Sequence, residues 1–231
     1  MRLRLACIFA CGVSCAVVTS GHDVITTPLT FSREISRLVY ERCARCHRPG
    51  GAAFSLVTYA EARPWAAAIK EEVLERRMPP WGAVKGFGEF KDDQGLTQEQ
   101  IELIADWVEG GAPEGDPKLL PKVPEFAEQH ASRVPPGIPV EGALTLKTGI
   151  TLAGIRPKEL PDGVSVMVTA TRPDGSIEPL LWLYNYRPQF PHTYWYKAGL
   201  HLQAATRIEV RPPGAVTLVL LTRAPRASAH K

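Results

Sequence analysis

Two cysteines three residues apart, with a histidine directly after the second, constrain this 231-residue chain more than any other feature. The motif Cys43-Ala-Arg-Cys46-His47 ends an apolar pattern of helical period that begins at Ile35. Such pairs serve in dithiol redox centres, in zinc knuckles and in covalent haem attachment. Other features of the sequence indicate which of these three chemistries applies.

The N-terminus predicts export. Two arginines precede an apolar run over residues 5–18, and small residues follow at Thr19 and Ser20. This layout predicts a signal peptide over residues 1–20, a periplasmic location, and no transmembrane span in the mature chain. The residues before Cys11 and Cys15 match a lipoprotein signal poorly, so we expect no lipid anchor. Cleavage would leave Cys43 and Cys46 as the only cysteines, which excludes a disulfide framework.

The surroundings of the pair favour haem. A structural zinc site needs four ligands, and no second pair of cysteines or histidines follows at finger spacing. A thioredoxin-like pair begins a helix, whereas this one ends a helical pattern. Cysteines three apart lie about one turn apart on the same side of a helix, so both thiols can reach the vinyl groups of one haem. The sequence therefore predicts one haem c attached to Cys43 and Cys46, with His47 as its proximal axial ligand.

Met78 is the candidate for the distal axial ligand. Trp65, Ile69 and Val73 predict an amphipathic helix before it, and Pro79 forces Met78 out of helical geometry. A thioether on a stiff loop after a helix suits iron ligation. The alternative is that Met78 fills a gap in an apolar core.

A further helix is predicted after this loop. Thr97 and Gln100 form a capping box, and the helix ends at Gly110 and Gly111. Together these patterns predict a small all-α domain around one haem over residues 28–116.

Residues 31–116 resemble a monohaem cytochrome c of class I type. They resemble most closely the bacterial cytochrome domains that carry the patterns C..CHRPG, L.TY..ARPW...I, R.MPPW and I..I..WV..GAP.G. The resemblance implies covalent haem c, His47 and Met78 as axial ligands, and electron transfer with a redox partner protein. Arg42, Arg45 and Arg48 flank the motif; they would either attract an acidic partner or pair with haem propionates or with Glu41.

The second half of the chain has a different period. Residues 117–139 hold six prolines and predict a linker. After it, Val164, Val166 and Val168 alternate with polar residues, and further strands are predicted over residues 178–186, 192–196, 206–210 and 215–221. The predicted fold class is thus a small all-α domain followed by an antiparallel β-sandwich over residues 140–225. We expect a chain that ends near Asp116 to fold without the sandwich.

The strand-rich half resembles, more weakly, the sandwich of copper monooxygenases of the peptidylglycine-hydroxylating kind. The stretches RPDGSIEPLLWLYNYRPQF, TYWY and TRIEV carry this resemblance. The His-any-His copper pair of that family is missing, which leaves His192, His201 and Met167 as copper candidates.

Three functions follow from these patterns. The first is an exported electron carrier, not an enzyme, whose β domain serves for docking or as a scaffold. The second is a monooxygenase-like enzyme in which the haem passes electrons to a copper site. The third is a haem protein that senses a small ligand by displacement of Met78. The net charge of only +3 argues against nucleic acid as a partner.

Overall fold

The computed structural model describes residues 27–126, 135–214 and 216–222. The predicted signal peptide over residues 1–20 and part of the predicted linker lie outside these ranges. Within them, no helix combines the length and the apolar character needed to cross a membrane.

The helices are short. The first, α1, covers residues 31–43; its hydrogen bonding is π-type over Phe31–Ile35 and Val39–Cys43 and α-type over Ser36–Leu38. The others are α2 (Tyr59–Ala62), a 3-10 turn (Arg63–Trp65), α3 (Ala66–Leu74) and α4 (Gln98–Glu109). The predicted capping box at the start of α4 is confirmed, since the Thr97 side chain accepts from the backbone of Gln100 and the Gln100 side chain accepts from the backbone of Thr97.

Eight strands form two antiparallel four-stranded sheets. The strands are β1 (Ile138–Val140), β2 (Ala143–Thr145), β3 (Ile150–Glu159), β4 (Val166–Thr171), β5 (Ile177–Leu183), β6 (Tyr194–Leu202), β7 (Arg207–Arg211) and β8 (Thr217–Thr222). The strand order is β1-β8-β3-β6 in one sheet and β2-β7-β4-β5 in the other. The predicted alternation in β4 is confirmed, because Val166, Val168 and Ala170 are buried while the residues between them are half-buried.

Each part of the chain has an apolar core of its own. The two sheets bury one between them, with fully buried side chains that include Leu152, Ile155, Ile208 and Leu220. A second cluster lies among the helices around Trp107.

The segment that holds the second cluster together follows α4. The indole of Trp107 donates to Pro113 O (3.0 Å), and the Tyr59 hydroxyl donates to Ala112 O (3.1 Å). The backbone N–H of Phe31 also donates to Pro113 O (3.0 Å). Because these bonds tie α1, α2 and α4 to one segment, residues 112–113 fix the relative positions of the helices.

The chain between α3 and α4 pairs with the sheets. The N–H of Val84 donates to Trp182 O (2.8 Å) at the edge of β5, and the N–H of Lys91 donates to Trp195 O (2.7 Å) in β6. Trp81, Ala83 and Phe90 enter the apolar core of the sandwich. Residues 81–91 thus belong in packing terms to the sheets.

The predicted fold class is therefore wrong. In the part of the chain that the structure describes, the longest purely α-helical segment has twelve residues, no small all-α domain forms, and the two sheets dominate. The physical reason lies in residues 81–91. Strands β5 and β6 are the edge strands of their sheets. The outer backbone N–H and C=O groups of an edge strand are free to form hydrogen bonds with another extended segment, and residues 81–91 are such a segment.

Candidate functional site

The cysteine–histidine motif forms a tight turn at the end of α1. The backbone N–H groups of Cys46 and His47 both donate to Cys43 O, at 3.1 and 2.9 Å. The following loop then folds back, since the N–H of Ala53 donates to Cys46 O (3.1 Å) and that of Leu56 to His47 O (3.2 Å). Both thiols are free, and the positions of their backbones are fixed on each side.

The ring of His47 is oriented by the same loop. Its Nδ1 lies 3.0 Å from Phe54 O, a backbone acceptor, so Nδ1 carries the proton and donates it. The tautomer fixed in this way leaves a lone pair on Nε2. A backbone carbonyl that holds one ring nitrogen is the usual second-sphere partner of a metal-binding histidine.

Cys43 lies in an apolar setting. It lines a cavity of about 20 Å³ with Ile69 of α3 and Ile104 of α4. Burial raises the pKa of the Cys43 thiol to about 12, and the opposing effect of the Arg42 charge is smaller. The thiol is therefore protonated at neutral pH, which argues against a dithiol centre that works through a thiolate nucleophile.

The described residues offer no ready zinc site. Across residues 27–126, 135–214 and 216–222, no three side chains of His, Cys, Asp or Glu come together in a group that could hold a metal ion. The four-ligand requirement of a structural zinc is not met by this arrangement.

Met78 lines a much larger cavity, of about 800 Å³. Its walls include Val73 of α3 and Ile101 of α4 on one side, and Trp182 and Tyr184, from β5 and the residues after it, on the other. The volume lies in the range of roughly 300–1,000 Å³ that is typical of small-molecule and cofactor sites.

The two cavities are neighbours. Leu96 lines both of them, and α3 and α4 contribute to the walls of each. The space beside the Cys43 thiol and the space beside Met78 therefore lie along the same pair of helices.

The sandwich holds the loop that carries Met78. The hydroxyl of Tyr194 donates to Trp81 O (2.6 Å), and His192 Nε2 lies 3.1 Å from Pro80 O. The Trp81 ring packs against both residues, with its ring centroid 4.9 Å from that of Tyr194 and 5.1 Å from that of His192. We call Tyr194 and His192 the loop clamp.

Burial lowers the pKa of His192, and the charge of Arg45 lowers it further, against the opposing effect of the bond to Pro80 O. The ring is therefore neutral at pH 7. Because Pro80 O can only accept, the single proton of this neutral ring lies on Nε2.

Five buried side-chain atoms have no hydrogen-bond partner among the described residues: Ser32 Oγ, Arg42 Nε, Trp81 Nε1, Arg156 Nε and Thr206 Oγ1. Two of them, Arg42 Nε and Trp81 Nε1, lie near residues 93–95, since Arg42 Nη1 donates to Asp93 O (2.5 Å) and a Cβ on Gly95 would lie 3.3 Å from Trp81 Cδ1. A buried N–H without an acceptor is costly, so an acceptor group bound at this corner would be stabilised.

The three arginines of the motif have different environments. Arg42 pairs with Glu41 (2.9 Å), and only 17% of its side chain is exposed. The Arg48 guanidinium lies 4.8 Å from the centroid of the Phe126 ring. Arg45 is exposed and has no ion pair within the described ranges. The predicted cluster of three docking arginines is thus not one exposed surface, since Arg42 is bound inward.

The candidate copper ligands are not brought together. His201 pairs with Thr151 and Tyr194 with Ile155, so the two ends of β6 are separated by four β3 residues, about 13 Å. His192 lies beyond the Tyr194 end and is bound to Pro80, and Met167 lies in the other sheet. His192 and His201 therefore cannot bind one ion.

Several site residues were not predicted from the sequence. They are the cavity walls Trp182 and Tyr184, the loop clamp, and the orphan donor of Arg42. The high density of aromatic residues over 182–196 was the one signal in the sequence for these contacts. A local pattern of this kind does not predict which distant loop the side chains contact. Trp65 was predicted in the buried stripe of α3 and is instead 47% exposed.

No protein-family model matches this chain, and neither a curated protein nor a solved structure matches it.

Proposed function

We propose that this protein is an electron carrier with one haem c, attached through Cys43 and Cys46 and bound axially by His47 and Met78. The observation that carries the proposal is the orientation of His47. Its Nδ1 is occupied by Phe54 O at 3.0 Å, which leaves Nε2 for a metal, and the same turn carries the two free cysteines.

Two features of the described residues support a haem. The cavity of about 800 Å³ is lined by Met78, Leu96 and Ile101 together with charged side chains such as Arg76 and Lys85; it adjoins the small cavity at Cys43, and neither Cys46 nor His47 lines it. Trp81 Nε1 and Arg42 Nε, two of the five buried side-chain atoms without a partner among the described residues, match the anionic propionates, which are acceptors only. The raised pKa of the Cys43 thiol argues against the alternative of a redox dithiol.

A bound haem would supply a one-electron couple between ferrous and ferric iron. The part of the chain is to hold the two axial side chains still. The Phe54 carbonyl fixes the plane of His47, and the loop clamp fixes Pro80 and Trp81, close in sequence to Met78. Rigid ligands need little rearrangement when the charge of the iron changes, which favours fast electron exchange.

The nature of the ligands sets the chemistry. A thioether is a neutral donor, and ligation by Met and His raises the reduction potential. As a ligand, Met78 would also leave no open position on the iron, which would suit the site to electron transfer and not to the binding of small ligands. The sandwich supplies Trp182 and Tyr184 as a wall that reduces the access of water.

Covalent attachment is tested by denaturing electrophoresis with haem staining, after expression of the full chain with the cytochrome c maturation machinery. The wild type is expected to keep its haem after denaturation, and the Cys43→Ser, Cys46→Ser double variant to lose it. A wild-type chain without bound haem would show that the proposal is wrong.

The axial assignment is tested by Met78→Ala. This variant is expected to keep its covalent haem, to lose the far-red methionine–iron absorption band, to bind carbon monoxide when reduced, and to have a lower reduction potential. Met167→Ala is the matched control, because Met167 lies on β4 opposite Trp182 and does not line the large cavity. Loss of the band in the control alone would assign the ligand to Met167.

A further inference from the structure

An exposed aromatic pair lies directly against the proposed iron ligand. Phe54 is 50% exposed and Trp65 is 47% exposed, and their ring centroids are 4.6 Å apart. The Phe54 ring also meets the His47 ring edge-on, with centroids 5.0 Å apart. Ala68, one turn after Trp65, is exposed as well. We call Phe54, Trp65 and Ala68 the aromatic patch.

Packing inside the protein does not explain this patch. Two large rings that stack on each other while half of their surface meets water lose the benefit of burial. Exposed apolar surface of this kind marks interaction sites, and tryptophan is the side chain that most often dominates binding energy.

The residues that neighbour the patch in the sequence are rich in positive charge. Residues 41–70 contain five Lys or Arg and two Glu, an excess of three positive charges. Arg63 lies two residues before Trp65, and Arg45 lies two residues before His47. Both arginines are exposed and have no ion pair within the described residues, so they would attract an acidic partner.

We infer that the aromatic patch is the docking surface for an acidic electron-transfer protein. This inference rests on the proposed function. An apolar centre formed by Phe54 and Trp65, with positive charge around it, complements a partner that carries an apolar contact surface within acidic residues.

Docking at the aromatic patch would place the redox centre of the partner on the His47 side. One electron passes from the reduced centre of one protein to the oxidised centre of the other, and no bond forms or breaks. The contact between Phe54 and His47 gives a direct route from the aromatic patch to the proposed iron ligand.

The test uses the haem-loaded full chain and a purified acidic blue-copper protein as the probe. The rate constant of electron exchange is measured by stopped flow at low and at high salt. Trp65→Ser is expected to lower it about tenfold at both salt concentrations, because an apolar anchor is lost. Arg45→Glu with Arg63→Glu is expected to lower it tenfold or more at low salt only, because salt screens the attraction.

Matched controls remove equivalent groups elsewhere. Ile177→Ser removes an apolar side chain that is 69% exposed on β5. Lys147→Glu with Lys197→Glu reverses two exposed charges outside residues 41–70. Both controls are expected to exchange electrons at the wild-type rate. If the patch variants behave like these controls, the inference is overturned.

A binding measurement separates this inference from the proposed function. The indole N–H resonance of Trp65, identified by its loss in Trp65→Ser, should shift when the reduced acidic protein is added to the wild-type chain. If the wild type holds no haem, the proposed function fails, whatever this resonance does. If haem is present and the resonance does not move, the docking inference alone fails. A concentration-dependent dimer that Trp65→Ser abolishes would overturn it in favour of self-association.

Discussion

The sandwich and the helical part of this molecule differ in how well they fill their own interiors. Of the twelve largest fully buried side chains, ten belong to the core of the sandwich and two, Phe31 and Trp107, to the helical cluster. The cavities of about 20 and 800 Å³ both lie against α3 and α4. The side chains of the two sheets thus fill the apolar core between them. The helices, by contrast, surround space that their own side chains do not fill.

This difference indicates which region depends on a bound group. Apolar interiors are normally close-packed, and unfilled volume costs stability. The helical part is expected to need both its proposed haem and the wall that the sandwich provides. The sandwich is expected to need neither haem nor helices to remain folded.

The largest effect is expected from removal of the sandwich. A chain that ends at Asp116 would expose Trp81 and Phe90, at a cost of roughly 1.5–3 kcal/mol for each side chain, and would open the large cavity. We expect no cooperative thermal unfolding by circular dichroism and no far-red haem band. This differs from the expectation drawn from the proline-rich composition of residues 117–139, under which the shortened chain folds without the sandwich. A shortened chain that melts cooperatively with the band intact would support that earlier expectation and show that the two regions are independent.

Absence of haem is expected to have a smaller and regional effect. In the Cys43→Ser, Cys46→Ser variant, amide hydrogen exchange should accelerate in α3 and α4, which line the open space, and should stay slow in β3 and β8. The haem-loaded wild type is the reference. Equal acceleration in both regions would mean that the helices and sheets unfold as one unit.

The loop clamp gives a sharper test of the contact between the regions. Tyr194→Phe leaves the buried Trp81 carbonyl without its donor, which should lower the free energy of unfolding by about 1–3 kcal/mol and weaken the far-red band. Tyr196→Phe is the control: its hydroxyl donates to Leu180 O (2.8 Å) from the same strand, so it should cost similar stability and leave the band unchanged. Identical spectra for both variants would show that the clamp does not act on Met78.

The smallest expected effect is the pH dependence that His192 contributes. Its pKa is lowered in the folded protein, chiefly by burial, so on acidification the unfolded chain binds the proton first, near the ordinary pKa of about 6.5. The contribution of His192 to stability is therefore complete above that pH and is lost as the pH falls towards the folded pKa. His192→Gln, whose amide can still donate to Pro80 O, should flatten the stability curve between pH 7 and 5.

Local signals in the sequence were sufficient for several elements. The Thr97–Gln100 capping box marks the start of α4, and the alternation of Val166, Val168 and Ala170 marks β4, because both patterns act between residues close in the chain. The motif at Cys43 was placed correctly at the end of a helix. These features depend on spacing alone.

Non-local pairing could not be predicted in the same way. Residues 81–91 carry no strand period, and their conformation is fixed by the free edges of β5 and β6, which lie about a hundred residues further along the chain. The loop clamp and the Trp182 wall depend on the same pairing. For this reason the candidate ligands were identifiable from the sequence, whereas the residues that hold Met78 in place were not.

The position of Cys43 also has a consequence for the order of biosynthesis. Its thiol faces a space of about 20 Å³ between α1, α3 and α4, which is far too small to admit a porphyrin, and its high pKa keeps it protonated. A haem attached as we propose must therefore meet the thiol before α1 closes on the other helices. Folding of the helical part and attachment of the haem are then competing reactions. A chain that folds before attachment can no longer receive its haem. We expect slower folding of the helical part to raise the yield of the haem-loaded protein.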